Sequence, residues 1–266
     1  LSRKNVGRGQ KVAVIGAGPA SLACAHDLAI MGYRPTVFEA SGLAGGMMFH
    51  GIPEFRLARS VLAREVQSVL DLGVKLKLNA PLTPEFGLKQ LREGGFEAVF
   101  LGVGTQGGRD LPIEGSNFDG VIKAIEFLIN VNRGYRVKLG KRVVVIGGGF
   151  VAFDAARMAL RAGQESQLDQ AVSEGAMVTA LDAARAAVRA GVRDIRMVSL
   201  ESFAEMPALR SAQGREEFEH AREEGIVFHP QRGPRRFLGD QGAVRAIELI
   251  GVARTYDENG RFAPVY

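Results

Sequence analysis

Two glycine clusters carry the chemistry that this sequence can offer. Gly16-Ala17-Gly18-Pro19-Ala20-Ser21 follows the apolar run Val12 to Ile15, and Gly147-Gly148-Gly149-Phe150-Val151-Ala152 follows the run that begins at Arg142. A glycine turn between strand and helix lets the backbone approach a pyrophosphate, and the N–H groups that open the helix point at that anion. In the first cluster Gly16 permits the tight turn and Gly18 the close approach. Ser21, in the third glycine's place, is small enough for helix-on-strand contact. Glu39 closes the next strand at the distance where an acid bonds a ribose hydroxyl. A glycine turn alone is equally a structural device; strand before, helix after and acid at the end make this one a dinucleotide site. Two such units in one chain bring together two dinucleotides, whose joint chemistry is hydride exchange.

The elements that must position these residues alternate between strand and helix. This is an α/β chain with two Rossmann-like dinucleotide-binding domains. The first helix buries Leu22, Ala25 and Ala29 and stops at Gly32. Ala44 to Leu57 is glycine-rich and too irregular for an element. Ser60 is expected to cap a helix with Leu62, Val66, Val69 and Leu70 on one face, ended by Gly73. A strand at Val74 to Leu78 and a short helix near Pro84 to Arg92 lead to the strand Ala98 to Leu101, which runs into Gly102-Val103-Gly104-Thr105. Further on come a helix at Val121 to Asn130, a strand at Arg142 to Ile146, a helix at Phe153 to Ala162 and a strand at Ile195 to Ser199. The segment Phe153 to Gly163 is echoed by Leu181 to Gly191, which reads as an insertion that adds a helix to the domain's flank or offers a docking surface. Arg254 to Phe262 reads as a hairpin that turns at Asn259-Gly260.

Composition excludes several classes. The chain has 266 residues, of which 46% are hydrophobic, enough for two cores. No stretch approaches the roughly 18 apolar residues of a membrane helix and no signal peptide opens the chain, so the expectation is a cytoplasmic protein without membrane insertion. The net charge of +5 is spread thinly without interleaved aromatics, which argues against a nucleic-acid partner. Cys24 is the only cysteine, so no disulfide, dithiol or cysteine-held cluster is available. His26, His50, His220 and His229 lack metal spacing, and no side chain is expected to act as a catalytic acid, base or nucleophile.

The turn GAGPA, the loop AGGMMFHGIPEFRL, LGVGT, VVVIGGGFVAFDAAR and the late EMPA resemble the glutamate synthase small (beta) subunit-like family of FAD- and NAD(P)-dependent oxidoreductases, from Lys11 to about Gly251. The resemblance implies an FAD domain over residues 1–106, a connector over 107–119, a nicotinamide-nucleotide domain over 120–252 with a helical insertion near 164–182, and a return hairpin over 253–266. It places Gly16, Gly18, Pro19, Ala20 and Ser21 at the FAD pyrophosphate, and Glu39 with Ala40 at its adenosine ribose. Gly45, Gly46 and Met47 are implied near the flavin, Arg56 near the phosphates or flavin, Leu82 near the adenine, and Gly104 with Thr105 over the cofactor. In the second unit it implies Gly147, Gly149, Phe150 and Val151 at the pyrophosphate; Phe150 stands where the family commonly has Asn or Thr. Electrons are implied to pass to an iron–sulfur or metalloenzyme subunit that carries the substrate site.

The sequence departs from that pattern in places. The family's cysteine-rich cluster domain is not in this chain, and the segments that return to finish the FAD domain are expected to be missing, so the chain alone is expected to hold FAD poorly. Members that use the phosphorylated nucleotide resemble the segment Val198 to Ser202 but carry two arginines where this chain has Leu200 and Glu201. Glu201 and Ser202 therefore predict NAD rather than NADP, because an acid there accepts bonds from a free ribose hydroxyl. The alternatives are that Glu201 faces water while Arg196 or Arg210 meets a phosphate, that the chain is an NADPH-dependent glutamate synthase small subunit, or that it is a non-catalytic nucleotide-binding scaffold that has lost its flavin.

Overall fold

A computed structural model describes residues 9–173, 192 and 194–266. The chain divides into two compact units, Leu1–Gln106 and Gly107–Tyr266, so residues 107–119 belong to the second.

The first unit is built on β1 (Lys11–Ile15). Its alternating side chains feed two cores: Val12 and Val14 join Ala25, Ala29, Val37 and Val74 on one face, while Ala13 and Ile15 join Phe38 and Leu91 on the other. A strand apolar on both faces must be covered on both, and β1 accordingly sits inside a parallel sheet. Its neighbours are β2 (Arg34–Phe38) and β4 (Phe96–Leu101), with β3 (Lys75–Lys77) beyond β2, giving the order β3-β2-β1-β4. Among its described residues this unit has four helices: α1 (Pro19–Ile30), α2 (Met47–His50), α3 (Arg59–Leu70) and α4 (Leu88–Glu93).

The second unit holds a parallel sheet of β5 (Arg142–Ile146), β6 (Asp194–Val198) and β7 (Val227–His229), in that order. The helices α5 (Ala124–Asn132), α6 (Phe150–Ser173) and α7 (Ala212–Glu223) accompany it, and a 3-10 turn spans Pro207–Arg210. Two antiparallel pairs follow, β8 (Arg232–Asp240) with β9 (Ala243–Gly251) and β10 (Arg254–Tyr256) with β11 (Phe262–Val265). The core gathers Phe127 and Leu128 of α5, Phe153 and Ala156 of α6, Ile195 and Met197 of β6, and Ala221 of α7.

A part-buried ion network centred on the buried Arg157 ties α6 to α7. Arg157 donates to Glu217 and, at 2.8 Å and 3.1 Å, to both oxygens of Glu224, which Arg161 also reaches at 2.8 Å. Burial alone would raise the Glu224 carboxyl, but the two guanidiniums outweigh it and hold it below the ordinary carboxylate value.

Several local expectations are corrected. Ser60 lies inside α3 and does not cap it: the Ala58 carbonyl already accepts from Val61 N at 3.0 Å and Leu62 N at 3.3 Å, so the helix starts two residues earlier. The loop after Ala44 contains a helix, α2, because Gly45 (φ +119°) and Gly46 (φ +54°) turn the chain so that Gly46 O accepts from Phe49 and His50 N. The helix expected from Val121 begins at Ala124 and runs to Asn132, and that expected at Phe153 begins at Phe150 and continues to Ser173. The repeat at Leu181 to Gly191 lies outside the described residues.

Candidate nucleotide sites

In the first unit the register pairs Ile15 with Phe38, and Gly16 N then donates to Phe38 O at 2.7 Å. Gly16 has φ +94°, and a Cβ there would stand 2.6 Å from Gly102 O, so the turn admits no side chain. Glu39 follows β2 directly, and its carboxylate spans two backbone donors, Ala17 N at 2.7 Å and Ser41 N at 2.8 Å. The acid predicted for a ribose thus also fixes the middle of the glycine turn. Gly45 N donates to Ala17 O at 2.8 Å, and a Cβ on Gly46 would come within 2.7 Å of Gly18 Cα, so the loop after Ala44 rests on the turn. Arg59 holds that loop from behind: its guanidinium donates to Met48 O at 3.1 Å and Ile52 O at 3.0 Å and lies 4.5 Å from the Phe49 ring centre.

Ser21 is fully buried, and its Oγ lies 3.4 Å from Ile15 O and 3.3 Å from Gly102 O. A Cβ on Gly102 would sit 2.0 Å from that Oγ, which makes Ser21 a helix-to-strand contact. Pro19 and Ala20 open α1 exposed, as Ala40 is beside Glu39, while Met47 and Arg56 are half-buried in the loop. Leu82, Gly104 and Thr105 stand exposed on coil outside this cluster.

The second turn repeats the plan. Ile146 pairs with Val198, and Gly147 N donates to Val198 O at 2.8 Å with φ +132°. By this register Ser199, not Glu201, occupies the position that Glu39 has in the first unit. Ser199 is buried and its hydroxyl donates to the Glu201 carboxylate, while Glu201 N donates back to Ser199 Oγ at 3.1 Å. A Cβ on Gly148 would stand 2.6 Å from Met206 Cγ, 2.8 Å from Ser199 Oγ and 3.4 Å from Glu201 Oε2, so this acid too faces the middle of its turn. Around Gly149 the position of a Cβ is open, with nothing among the described residues within 4 Å. Phe150 packs against the unit's core and Val151 is exposed. Ser202 donates its N–H (3.2 Å) and hydroxyl (2.7 Å) to Glu205, and these bonds hold Glu205 below the ordinary carboxylate range.

Residues 10–258 match the family model described as pyridine nucleotide-disulphide oxidoreductase. The chain belongs to that family. As a family member it is 33% identical over 261 residues to the NADP(+)-dependent formate dehydrogenase subunit beta of Moorella thermoacetica, which covers 97% of this chain and 32% of that protein. It is 33% identical over 269 residues to the glutamate synthase [NADPH] small chain of Halomonas elongata, covering 96% of this chain and 49% of that one. These relatives support the resemblance to glutamate synthase small subunits. The chain thus spans about a third of the length of the first and about half of the second. In fold it is similar to Mycobacterium tuberculosis FprA in complex with NADPH, with a TM-score of 0.73 at 18% identity over 97% of this chain and 67% of that one. The pair of Rossmann-like α/β domains expected from the sequence is the fold of this oxidoreductase family. Among the described residues no helix is long and apolar enough to cross a membrane.

Sequence reasoning passed over Ala17, whose contribution is a backbone N–H, and Ser199 and Gly148, which act through position. Counting strand register from each glycine turn would have found Ser199; nothing in the pattern marks Ala17.

Proposed function

We propose that this chain is the dinucleotide-handling part of a flavoprotein oxidoreductase, in which hydride passes between NAD(H) and FAD and electrons go on to an iron–sulfur or metal-containing partner subunit. FAD is assigned to the first unit, residues 1–106, and the nicotinamide nucleotide to residues 120–252. The observation that carries this reading is the paired construction: in each unit a glycine turn leaves a parallel strand, opens a helix and has a carboxylate against its middle residue. The open space at Gly149 and the helix that starts beside it suit a pyrophosphate.

When bound, the two cofactors supply the redox chemistry. The chain binds and orients. Backbone N–H groups at the start of α1 and α6 meet the pyrophosphates, Glu39 and Glu201 accept from ribose hydroxyls, and Arg59 keeps the loop of Gly45 to Met47 seated on the first turn. No side chain has to take or give a proton for hydride to move.

The preference for NAD rests on Glu201, whose carboxylate is directed at the turn. A 2′-phosphate about 4 Å from that carboxylate costs on the order of 4 kcal/mol at an effective dielectric near 20, and a third of that is about tenfold in affinity. Relatives named for NADP are the group from which this chain is expected to depart. Their names also span formate dehydrogenase, Fe(3+) reduction and glutamate synthase, so the partner sets the substrate. The test is the native protein's visible spectrum followed by kcat/KM for NADH and NADPH with an artificial acceptor. Flavin bands that bleach preferentially with NADH support the reading. A colourless protein that still binds nucleotide supports the scaffold alternative, and preference for NADPH removes the NAD assignment.

A further inference from the structure

Glu39 and Glu201 serve similar turns but are held in different ways. Both oxygens of Glu39 are engaged by backbone N–H groups. The Glu201 carboxylate is instead directed by a side chain, the hydroxyl of Ser199, which sits at the register position of Glu39. We propose that Ser199 is the positioning residue for ribose recognition in the second unit: it aims the Glu201 carboxylate at the nucleotide's 2′-position and thereby sets discrimination between unphosphorylated and 2′-phosphorylated nucleotides. This rests on the placement of the nicotinamide nucleotide in the second unit.

Three observations carry it. First, Ser199 is 2% exposed, so its hydroxyl has no bulk water to serve it and is committed to a protein acceptor. Second, the exchange is reciprocal: the hydroxyl donates to the Glu201 carboxylate and accepts from Glu201 N at 3.1 Å, closing a small ring that limits the acid to one orientation. Third, the loop that carries both residues is braced by the main chain. Ser199 N donates to His229 O at 3.1 Å, Arg232 N to Ser199 O at 2.9 Å and Gln231 N to Glu201 O at 3.1 Å, and Thr255 Oγ1 donates to Leu200 O at 2.9 Å. The backbone therefore stays in place when the hydroxyl is removed, and what changes is the freedom of the Glu201 side chain. A carboxylate free to turn to solvent both loses its bond to a ribose hydroxyl and stops opposing a phosphate there. Affinity for the plain nucleotide and rejection of the phosphorylated one should fall together.

The probes are ADP-ribose and 2′-phospho-ADP-ribose, which carry the ribose difference without a redox group, titrated by calorimetry into the full protein. The wild type is expected to favour ADP-ribose about tenfold or more. Ser199→Ala is expected to reduce that ratio to about threefold or less, to match Glu201→Gln, and to add nothing when combined with it. Ser199→Cys, which keeps the side chain's shape with a somewhat larger atom and weakens the donor, is expected to show the same loss and serves if the alanine variant folds poorly. If Ser199→Ala and Ser199→Cys keep the wild-type ratio, or weaken both ligands by one common factor, the positioning role is wrong. A wild type that favours the phosphorylated ligand overturns the NAD assignment and this inference together. A wild-type preference that survives loss of the hydroxyl overturns only the inference.

Discussion

Replacing Glu39 tests whether an acid assigned to a ribose also holds its own turn. In Glu39→Ala the amide of Ala17, a residue with no exposed surface, loses its 2.7 Å acceptor in a part-buried bond. An unsatisfied buried donor costs about 1–3 kcal/mol. Ser41 N loses its 2.8 Å acceptor as well, but Ser41 is half-buried and water can replace it, so this loss adds about 0.5–1 kcal/mol. The expected destabilisation of the first unit is therefore about 1.5–4 kcal/mol before any nucleotide is present. Glu39→Gln keeps one acceptor oxygen and places an NH2 group against the other amide, for roughly half that cost. Urea unfolding of nucleotide-free protein gives the magnitudes, and hydrogen exchange of a peptide containing Ala17 locates them. The order should be wild type, Gln, Ala, with faster exchange at Ala17 in the alanine variant. Equal stability of all three, or unchanged exchange at Ala17, would falsify the bridging role and leave Glu39 with a ribose contact alone.

The glycines of the second turn separate space from structure. Gly149→Glu should leave the unfolding free energy within about 0.5 kcal/mol, since no described residue lies within 4 Å of the new Cβ, yet abolish nicotinamide-nucleotide binding by calorimetry. Gly148→Ala should destabilise by about 1–3 kcal/mol, because its Cβ would meet Met206 at 2.6 Å and Ser199 at 2.8 Å; a neutral result would show that this contact relaxes freely. Arg157→Leu should cost about 3 kcal/mol in chemical unfolding by removing the guanidinium that both Glu217 and Glu224 bond, and a loss below 1 kcal/mol would mean that solvent reaches the pair. Glu224 is held below its ordinary value of 4.5 despite burial, so its stabilisation is complete above that pH and is lost as pH falls below it. Thermal midpoints measured from pH 6 down to pH 3 should fall through this window, and Arg157→Leu should flatten that fall.

The sequence by itself determined the α/β alternation, the two glycine turns and the acid after β2, because these depend on local rules: apolar runs, positive φ at glycine and the fixed spacing of strand, turn and helix. It did not determine where α3 begins, since Ser60 reads as a cap until the Ala58 carbonyl is seen to accept the first helical bonds. Nor did it show α2, whose four residues are too few to carry a period and exist because Gly45 and Gly46 fold back against the first turn. The division of labour among the site residues was also out of reach. That Ser21 is a packing residue and that Glu39 binds Ala17 follow from contacts between segments far apart in the chain, Gly102 with Ser21 and β1 with β2. Ser199 aligns with Glu39 only once strand register is known, because two residues of offset separate a buried hydroxyl that aims an acid from the acid itself. Local propensity writes the elements; which side chains meet is decided by the sheet that pairs them.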